Sequence, residues 1–434
     1  MFKFRRIVSV GFFLLIFCFA TVLFTGTGFA NQENDYKKLE IFTDVLSLVR
    51  SHYVEDVDME KLLYGAIRGM LSELDPHSSF LTPEMYEEMQ ADTHGEFGGL
   101  GIEITVKDGE LIIVSPIEDT PAYLAGIKAG DQIVKIDGKS TRDIGVMEAV
   151  RLMRGPKGEP ITISIQRSGV HELQTFTIVR DIIKIQSVKS NLLEGCYGYV
   201  RITQFQDRTS SDLKENLLKL QQDNGNHLDG VILDLRNNPG GLLDQAVAVA
   251  DLFLEEGLIV YTEGRDLESN MRFSAQQLGT EPEYPLIVLI NGGSASAAEI
   301  VAGALQDHER AIILGEQSFG KGSVQTIIPL GDKSGLRLTT ARYFTPSGKS
   351  IQARGISPDI VVPAVLITDQ KKSDLPLREK DLENHFKPLT KKQPEQSKKK
   401  ITELSREQKK DNQLRHAIDL LKGINILKHG KQSA

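Results

Sequence analysis

Apolar residues recur at two different periods along the chain, and the changes of period divide it. From Tyr36 to about Met89 they return at helical spacing, first as Leu39, Phe42, Val45, Leu46 and Val49, then as Leu62, Leu63, Ile67, Met70 and Leu71. With Pro76 and Pro83 as breaks, this predicts two or three helices. Between Gly95 and Arg180 short β-type runs take over, at Gly101–Val106, Leu111–Val114, Gln132–Ile136 and Ile161–Gln166, separated by Gly and Asp. One helical stretch, Val146–Met153, interrupts them. From Ile182 to about Val365 strands alternate with helices. Tyr197–Ile202 precedes Asp212–Gln222, Val231–Leu235 precedes Leu242–Leu254, and Leu286–Ile290 precedes Ala297–Gln306, which implies an α/β layer fold.

The N-terminus has a different texture. Lys3, Arg5 and Arg6 lead into an apolar run from Ile7 to Phe24, and Gly28-Phe-Ala30 gives a small-x-small pattern ahead of Asn31. The run is longer than an ordinary signal core, so residues 1–30 read either as a cleaved export signal or as a retained membrane anchor. In both cases the rest of the chain is expected outside the cytoplasm. Cys18 follows the bulky Phe17, which does not suit a lipoprotein cleavage site.

Composition narrows the function classes. Of 434 residues 40% are apolar and 38 are glycine, the balance of a globular chain long enough for several folding units. The net charge of −8 provides no overall basic field for nucleic acid. That charge is unevenly spread, because residues 371–434 hold 17 Lys and Arg against 9 Asp and Glu, leaving −16 for residues 1–370. The Lys398–Lys400 run reads as a linker, and Leu414, Ile418 and Leu421 suggest a short terminal helix; a solvated tail without a role is the plain alternative. Two cysteines, Cys18 and Cys196, make no disulfide framework or four-cysteine metal site, and no His, Cys and carboxylate set has ligand spacing. No metal and no other cofactor is expected. The absence of Trp disfavours a sugar- or base-stacking platform.

Three glycine-rich turns carry the candidate chemistry. In Leu286-Ile-Val-Leu-Ile-Asn-Gly-Gly-Ser294-Ala-Ser296-Ala-Ala-Glu299 a buried strand runs into a turn and a helix, so a serine there would meet backbone N–H groups and the positive end of a helix. That suits an acyl-transfer nucleophile, but Ser296-x-x-Glu299 is also a capping box and Ser294 could be an N-cap. Gly320-Lys321-Gly322 follows in a second turn, with Gln325 four residues beyond the start of that tripeptide's lysine. A buried lysine can act as a general base when neutral. The alternatives are a flexible surface turn and a phosphate loop, and the second lacks its Gly-Lys-[Ser/Thr] order because Gly322 follows Lys321. The third turn, Asp234-Leu-Arg236-Asn-Asn-Pro-Gly240-Gly241-Leu242, again closes a strand before a helix, and its amides could stabilise an oxyanion. The rival bases His52, His77, His94, His171, His227 and His308 lack a comparable strand-end setting.

Taken in order, Asp75-Pro-His-Ser-Ser-Phe-Leu-Thr-Pro83, Gly98-Gly-Leu-Gly101, Arg236-Asn-Asn-Pro-Gly-Gly-Leu242, Ser294-Ala-Ser-Ala-Ala-Glu299 and Phe319-Gly-Lys-Gly-Ser-Val-Gln325 resemble the bacterial C-terminal processing peptidases, the tail-specific serine proteases. The resemblance spans roughly residues 36–365. It implies a mixed α/β fold: a crotonase- and Clp-protease-like Ser/Lys peptidase core with an inserted β-rich PDZ domain and helical N- and C-terminal regions. By that resemblance Ser296 is the nucleophile, Lys321 the general base and Gln325 the group that orients it. The N–H of Ala297 with that of Gly240 or Gly241 forms the oxyanion hole. Ala298 stands where the family often has Ser, a position without a catalytic role.

The same resemblance makes Gly99-Leu100-Gly101-Ile102 a PDZ carboxylate-binding loop. Successive N–H groups in such a turn hold a C-terminal carboxylate while the next strand takes the peptide as an added strand, with Val146 and Val150 closing the groove from the helix. The expected division is a signal or anchor over 1–30, a helical region over 31–94, a PDZ domain over 95–180, a peptidase core over 181–365 and a basic tail over 366–434. The expected function is an envelope serine endopeptidase, in the periplasm or on the outer face of the bacterial cytoplasmic membrane, that recognises protein C-termini. Its partners would be protein or peptide substrates, further copies of itself in a homo-oligomer, an activator or adaptor protein, and the membrane through the N-terminus, with no nucleic acid. A non-catalytic PDZ scaffold is the alternative; a small-thioester acyltransferase is disfavoured by the PDZ-like module.

Overall fold

The computed structural model describes residues 36–432 apart from 108, 143, 195, 266–269, 277–279 and 366–409. The expected leader over residues 1–30 and the Lys398–Lys400 linker lie outside the described residues. The chain divides into two compact units, one ending at Phe80 and one beginning at Leu81.

The first unit is helical, as the spacing of its apolar residues predicts. A helix over residues 36–52 is followed by Met59–Ser72. The second starts at Asp58, whose carboxylate accepts from the amides of Glu60 (3.0 Å) and Lys61 (3.2 Å) and so satisfies two donors that a helix start leaves open. Asp75 then ties its own turn, accepting from the amides of His77 and Ser78. Among the described residues no helix is long and apolar enough to cross a membrane.

The second unit is mixed α/β. Six antiparallel strands form one sheet, Ile102–Lys107, Glu110–Pro116, Gln132–Ile136, Pro160–Gln166 and Gln174–Val179 in that order, with the short Lys139–Ser140 paired to Gln132–Ile136. Alternate residues such as Ile161, Ile163 and Ile165 are fully buried, as expected of a sheet with one dry face. The helix Val146–Met153 spans the residues that the sequence predicts and packs beside Ile102–Lys107, which is an edge strand. A two-stranded ribbon, Glu96–Gly99 paired with Asp181–Lys184, carries the chain into and out of this sheet.

Next comes a six-stranded sheet in the order Val188–Leu193, Tyr197–Ile202, Gly230–Asp234, Leu286–Ile290, Ile312–Gly315, Ile360–Val361. Its first pair is antiparallel and the others are parallel. Every residue of Gly230–Asp234 and Leu286–Ile290 is buried, the mark of parallel strands covered on both faces. Val231, Leu233, Val288 and Ile290 face the helices Thr209–Asp223, Leu243–Asp251 and Ala297–Asp307, whereas the alternate residues Ile232, Ile287 and Leu289 face the terminal helix Asn412–Gln432. That terminal helix is longer than the sequence suggests and is docked: Leu414, Ala417, Ile418 and Leu421 are all buried against the sheet. A smaller antiparallel sheet, Ser323–Pro329, Gly335–Phe344, Leu258–Gly264 and Arg272–Ser274, completes the unit.

Candidate active site

The three glycine-rich turns leave neighbouring parallel strands at the same end. Asp234 pairs with Leu289, and Leu289 with Leu314, so the chain exits toward 235–242, 291–296 and 316–322 side by side. In open α/β sheets the crevice beyond the carboxyl ends of such strands is where ligands bind. Hydrogen bonds lock the loops together. The Asn237 and Asn291 side chains bond to one another (2.9 Å), the Ala295 amide donates to Asn238 O (2.9 Å) and the Phe319 amide donates to Ser294 O (3.0 Å).

Of the two serines, Ser294 has the structural part. It is fully buried, and its hydroxyl donates to Leu235 O (2.8 Å) while accepting from the Asn291 amide (3.0 Å). Ser296 differs. It sits immediately before the helix Ala297–Asp307 with φ 54° and ψ −113°, a conformation that a side-chain-bearing residue enters only at a cost of about 1–3 kcal/mol. The turn turns its side chain toward the Gly240 backbone, where an added Cβ on Gly240 would lie 2.8 Å from Ser296 Cβ. Glycine at 240, with φ 100°, is therefore required twice over, by its backbone and by the room that Ser296 takes. If the strain is maintained for function, Ser296→Gly should stabilise the fold by about 1 kcal/mol, net of glycine's own entropic cost. Urea unfolding of the two proteins measures this, and an unchanged or lowered midpoint would show that the backbone is not under strain.

The phenol of Tyr343, 5% exposed, lies near the Ser296 side chain. Burial pushes its pKa up to about 12, with the Asp244 carboxylate adding to the rise and the Ser296 contact opposing it. Tyr343 thus remains a neutral hydroxyl beside the serine at neutral pH.

Glu299 joins the serine turn to the lysine turn. It is completely buried, and its Oε2 accepts from the amides of both Ser296 (2.8 Å) and Lys321 (2.9 Å). Its Oε1 accepts from Ser318 Oγ and the Gly320 amide, each at 2.6 Å. One carboxylate therefore holds three backbone amides and a hydroxyl from loops about twenty residues apart in sequence, each bond strengthened by its charge. The Lys321 side chain is half-buried, and loss of hydration, with the Arg337 guanidinium adding to it, lowers its pKa from the ordinary lysine value. Gln325 Nε2 donates to Ser323 Oγ (2.8 Å) and Thr339 Oγ1 (3.4 Å), which leaves the amide oxygen as the atom that can accept from Lys321.

The candidate oxyanion donors separate by their partners. The Gly240 amide donates to Asn238 Oδ1 (2.8 Å). Among the described residues, the amides of Gly241 and Ala297 donate to nothing. The Gly240 carbonyl accepts from Phe205 N (2.9 Å), and since the peptide is trans the Gly241 N–H points the opposite way, away from Phe205. An added Cβ on Gly241 would lie 2.0 Å from Phe205 O, so that packing admits only glycine. Ala297 is the first residue of its helix, where the amide lacks an intrahelical acceptor.

In the module built on the sheet that begins with Ile102–Lys107, Gly99, Leu100 and Gly101 are buried, and Ile102, Val146 and Val150 are half-buried. Gly101 has φ 76° and its carbonyl accepts from the Ile117 amide (2.8 Å), while the amides of Leu100 and Gly101 donate to no described residue. Two adjacent free amides before an edge strand are the elements needed to hold a carboxylate and extend the sheet. Local sequence marks Glu299 only as a cap and gives no sign of its joint role, nor of the places that Tyr343 and Asn238 take beside the serine and the Gly240 amide. The Glu299 signal was the capping-box spacing itself; nothing local marks Tyr343.

Comparison with known proteins gives the family. Residues 196–362 match the profile of Peptidase family S41, residues 112–167 match the PDZ domain, and residues 25–85 match the Activating protease CtpB N-terminal domain. A carboxy-terminal-processing protease of Bartonella bacilliformis is 52% identical over 394 residues, covering 91% of this chain and 90% of the relative. A carboxyl-terminal-processing protease of Synechocystis is 39% identical over 329 residues, 74% of this chain and 76% of the relative. Among solved structures, the photosystem II D1 C-terminal processing protease aligns at 30% identity with a TM-score of 0.44, over 74% of this chain and 92% of that one.

Proposed function

We propose, for a chain that belongs to the carboxy-terminal-processing serine proteases of family S41, that Ser296 is the nucleophile and Lys321 the base that takes its proton. A PDZ-containing serine protease binds peptide substrates by their C-termini, and the arrangement of this chain supplies each part of that activity. The observation that carries the role assignment is Glu299, whose single oxygen gathers the Ser296 and Lys321 amides at the mouths of two adjacent strands.

The reaction follows from the chemistry of these groups. Neutral Lys321 removes the Ser296 proton as Oγ attacks the scissile carbonyl, and the resulting ammonium then protonates the leaving amine. The Gly241 and Ala297 amides receive the oxyanion, with the helix start at Ala297 adding its positive end. The Gln325 amide oxygen accepts a lysine N–H and sets the direction of the lone pair. Water then repeats the sequence on the acyl-enzyme with Lys321 again as base.

In this reading residues 1–30 export or anchor the protein, 31–94 form the helical N-terminal region, 95–180 the PDZ domain, 181–365 the peptidase core and 366–434 the tail. The enzyme works in the periplasm or on the outer face of the cytoplasmic membrane. It acts as a homo-oligomer, and an activator or adaptor delivers or licenses substrates. The Leu100 and Gly101 amides take the substrate's terminal carboxylate while Ile102–Lys107 receives its last residues as an added strand, Val146 and Val150 lining the other side.

Substrate end-groups test that assignment. Amidating the C-terminus of an unfolded substrate, or replacing its apolar last residues with Asp, should slow cleavage about tenfold or more, by removing a charge-assisted carboxylate site. Cleavage rates for the three substrates read the effect directly. If the PDZ domain instead gates the enzyme, short C-terminal peptides added in trans will activate it; rates that respond to neither change would remove the PDZ domain from selection and gating alike.

A further inference from the structure

The terminal helix reaches the oxyanion loop through one side chain. Arg236 lies two residues beyond the strand Gly230–Asp234, immediately before Asn237–Gly241, and its guanidinium lies between two carboxylates. Toward the strand, Nε and Nη2 donate to Asp234 Oδ1 (2.9 Å) and Oδ2 (2.7 Å), and Asp234 is fully buried. Toward the terminal helix, Nη1 and Nη2 donate to Asp411 Oδ1 (3.0 Å) and Oδ2 (2.7 Å), and Nη1 also donates to Gln413 Oε1 (2.9 Å). All five guanidinium N–H groups thus have acceptors, three of them supplied from a segment about 175 residues further along the chain.

Asp411 is placed for this by its own helix. Its Oδ1 also accepts from the Leu414 amide (3.0 Å), so it caps the first turn that Leu414, Ala417 and Ile418 press against the sheet. Gln413 is fixed from the other side, donating to Val362 O (2.7 Å) at the sheet edge. Burial opposes the Asp411 charge, but Arg236 and the helix amides outweigh it and hold the carboxyl below its ordinary range. Without these acceptors the Nη1 face of a largely buried guanidinium would lose its partners, and Arg236 would have to turn toward water. The next residue, Asn237, has φ 55° and is bonded to Asn291 in the serine turn, so a rotation at Arg236 passes directly into the loop.

We propose that Asp411 is a positioning residue for peptide-bond cleavage, one that holds Arg236 and thereby sets the Asn237–Gly241 loop at the spacing the oxyanion requires. The docked helix Asn412–Gln432 is then part of the active-site support, and the competence of the enzyme depends on a segment about 175 residues further along the chain than the loop it supports. The inference rests on the reading of Gly241 and Ala297 as oxyanion donors.

The test compares Asp411→Ala with Lys422→Ala in the full chain. Lys422 holds the same helix through Glu194 (2.8 Å) but touches neither Arg236 nor the loop. Steady-state cleavage of an unfolded protein gives kcat and KM, and inhibition by a peptide aldehyde reports binding of a tetrahedral adduct. Asp411→Ala should lower kcat at least tenfold and weaken the aldehyde by a similar factor with KM within twofold, whereas Lys422→Ala should leave all three within twofold. Asp411→Asn retains the helix cap and the side-chain volume, so its smaller loss of kcat carries the test should Asp411→Ala not accumulate; Asp411→Glu should recover part of the rate. Unchanged kcat in Asp411→Ala or Asp411→Asn, or an equal loss in Lys422→Ala, overturns the proposal, the latter because helix docking alone would then be at work. Ser296→Ala is included as reference. If it still cleaves, the site reading fails and the inference with it; if it is inactive while the Asp411 variants keep full kcat, the inference alone fails.

Discussion

Ser296→Ala and Lys321→Ala should each reduce cleavage of an unfolded protein by about 10⁴-fold or more, and the double variant should be no worse than either single one. In the proposed mechanism the first removes the nucleophile and the second the base, so each breaks the same proton transfer, and losses within one unit do not add. Neither change removes core volume, so both proteins should unfold at nearly the parent temperature. The pH profile of the parent distinguishes this base from others. Only neutral Lys321 can accept the serine proton, so activity should rise as pH rises, about tenfold per unit on the acid limb, and level off once the lysine is neutral. Because desolvation and Arg337 lower the lysine pKa, the plateau should begin below the range of an exposed lysine. Arg337→Gln removes the second cation, so it should move that limb to higher pH. Substantial turnover by purified Ser296→Ala would make another group the nucleophile. Ser294 is poorly suited to replace it, since its hydroxyl is committed to Leu235 O.

Glu299→Ala should damage activity and stability together. The substitution leaves the Ser296, Gly320 and Lys321 amides and the Ser318 hydroxyl without their buried acceptor. Stranding several donors in a dry site costs about 3 kcal/mol or more even after partial rearrangement. Activity should fall at least a hundredfold, because the serine and lysine turns lose the group that sets their separation. Glu299→Gln should do less to stability, since its amide oxygen can still serve two donors, but its NH₂ faces donors where an acceptor is needed. Urea titration and kcat for the two variants separate the effects. A Glu299→Ala protein with parent-like kcat would show that the two turns are held without the carboxylate.

Local information was enough for several of the elements. Tyr197–Ile202, Leu286–Ile290 and Val146–Met153 have the bounds expected from their periodicity, and Gly230–Asp234, Thr209–Asp223, Leu243–Asp251 and Ala297–Asp307 differ from expectation by a residue or a few at their ends, whereas the main-sheet strands Val188–Leu193, Ile312–Gly315 and Ile360–Val361 are not among the expected elements. The reason is that a fully apolar five-residue run or an amphipathic turn is determined by residues within a few positions of one another. Short strands such as Glu96–Gly99 and Asp181–Lys184 were not legible in the same way, because each is defined by its pairing with a segment more than eighty residues away. The motifs also marked Ser296, Lys321 and Gln325, since a glycine-framed turn at a strand end carries a chemical meaning that survives without coordinates.

What the sequence could not decide was which atoms face one another. Both serines of Ser294-Ala-Ser296 fit a helix start, and they separate through Leu235, which directly follows the neighbouring strand Gly230–Asp234. Gly240 and Gly241 are adjacent and chemically identical, yet Asn238 and Phe205 assign their amides differently. Glu299 reads locally as a cap, and becomes a junction only because the parallel register brings the lysine turn to it. Asp411 lies in a basic tail whose composition suggested solvation, and it meets Arg236 because the sheet has a second apolar face that needs a helix to cover it. Composition and periodicity determine which face of an element is dry; the partner that covers it is chosen by the whole fold, through contacts whose sequence separation no local pattern encodes.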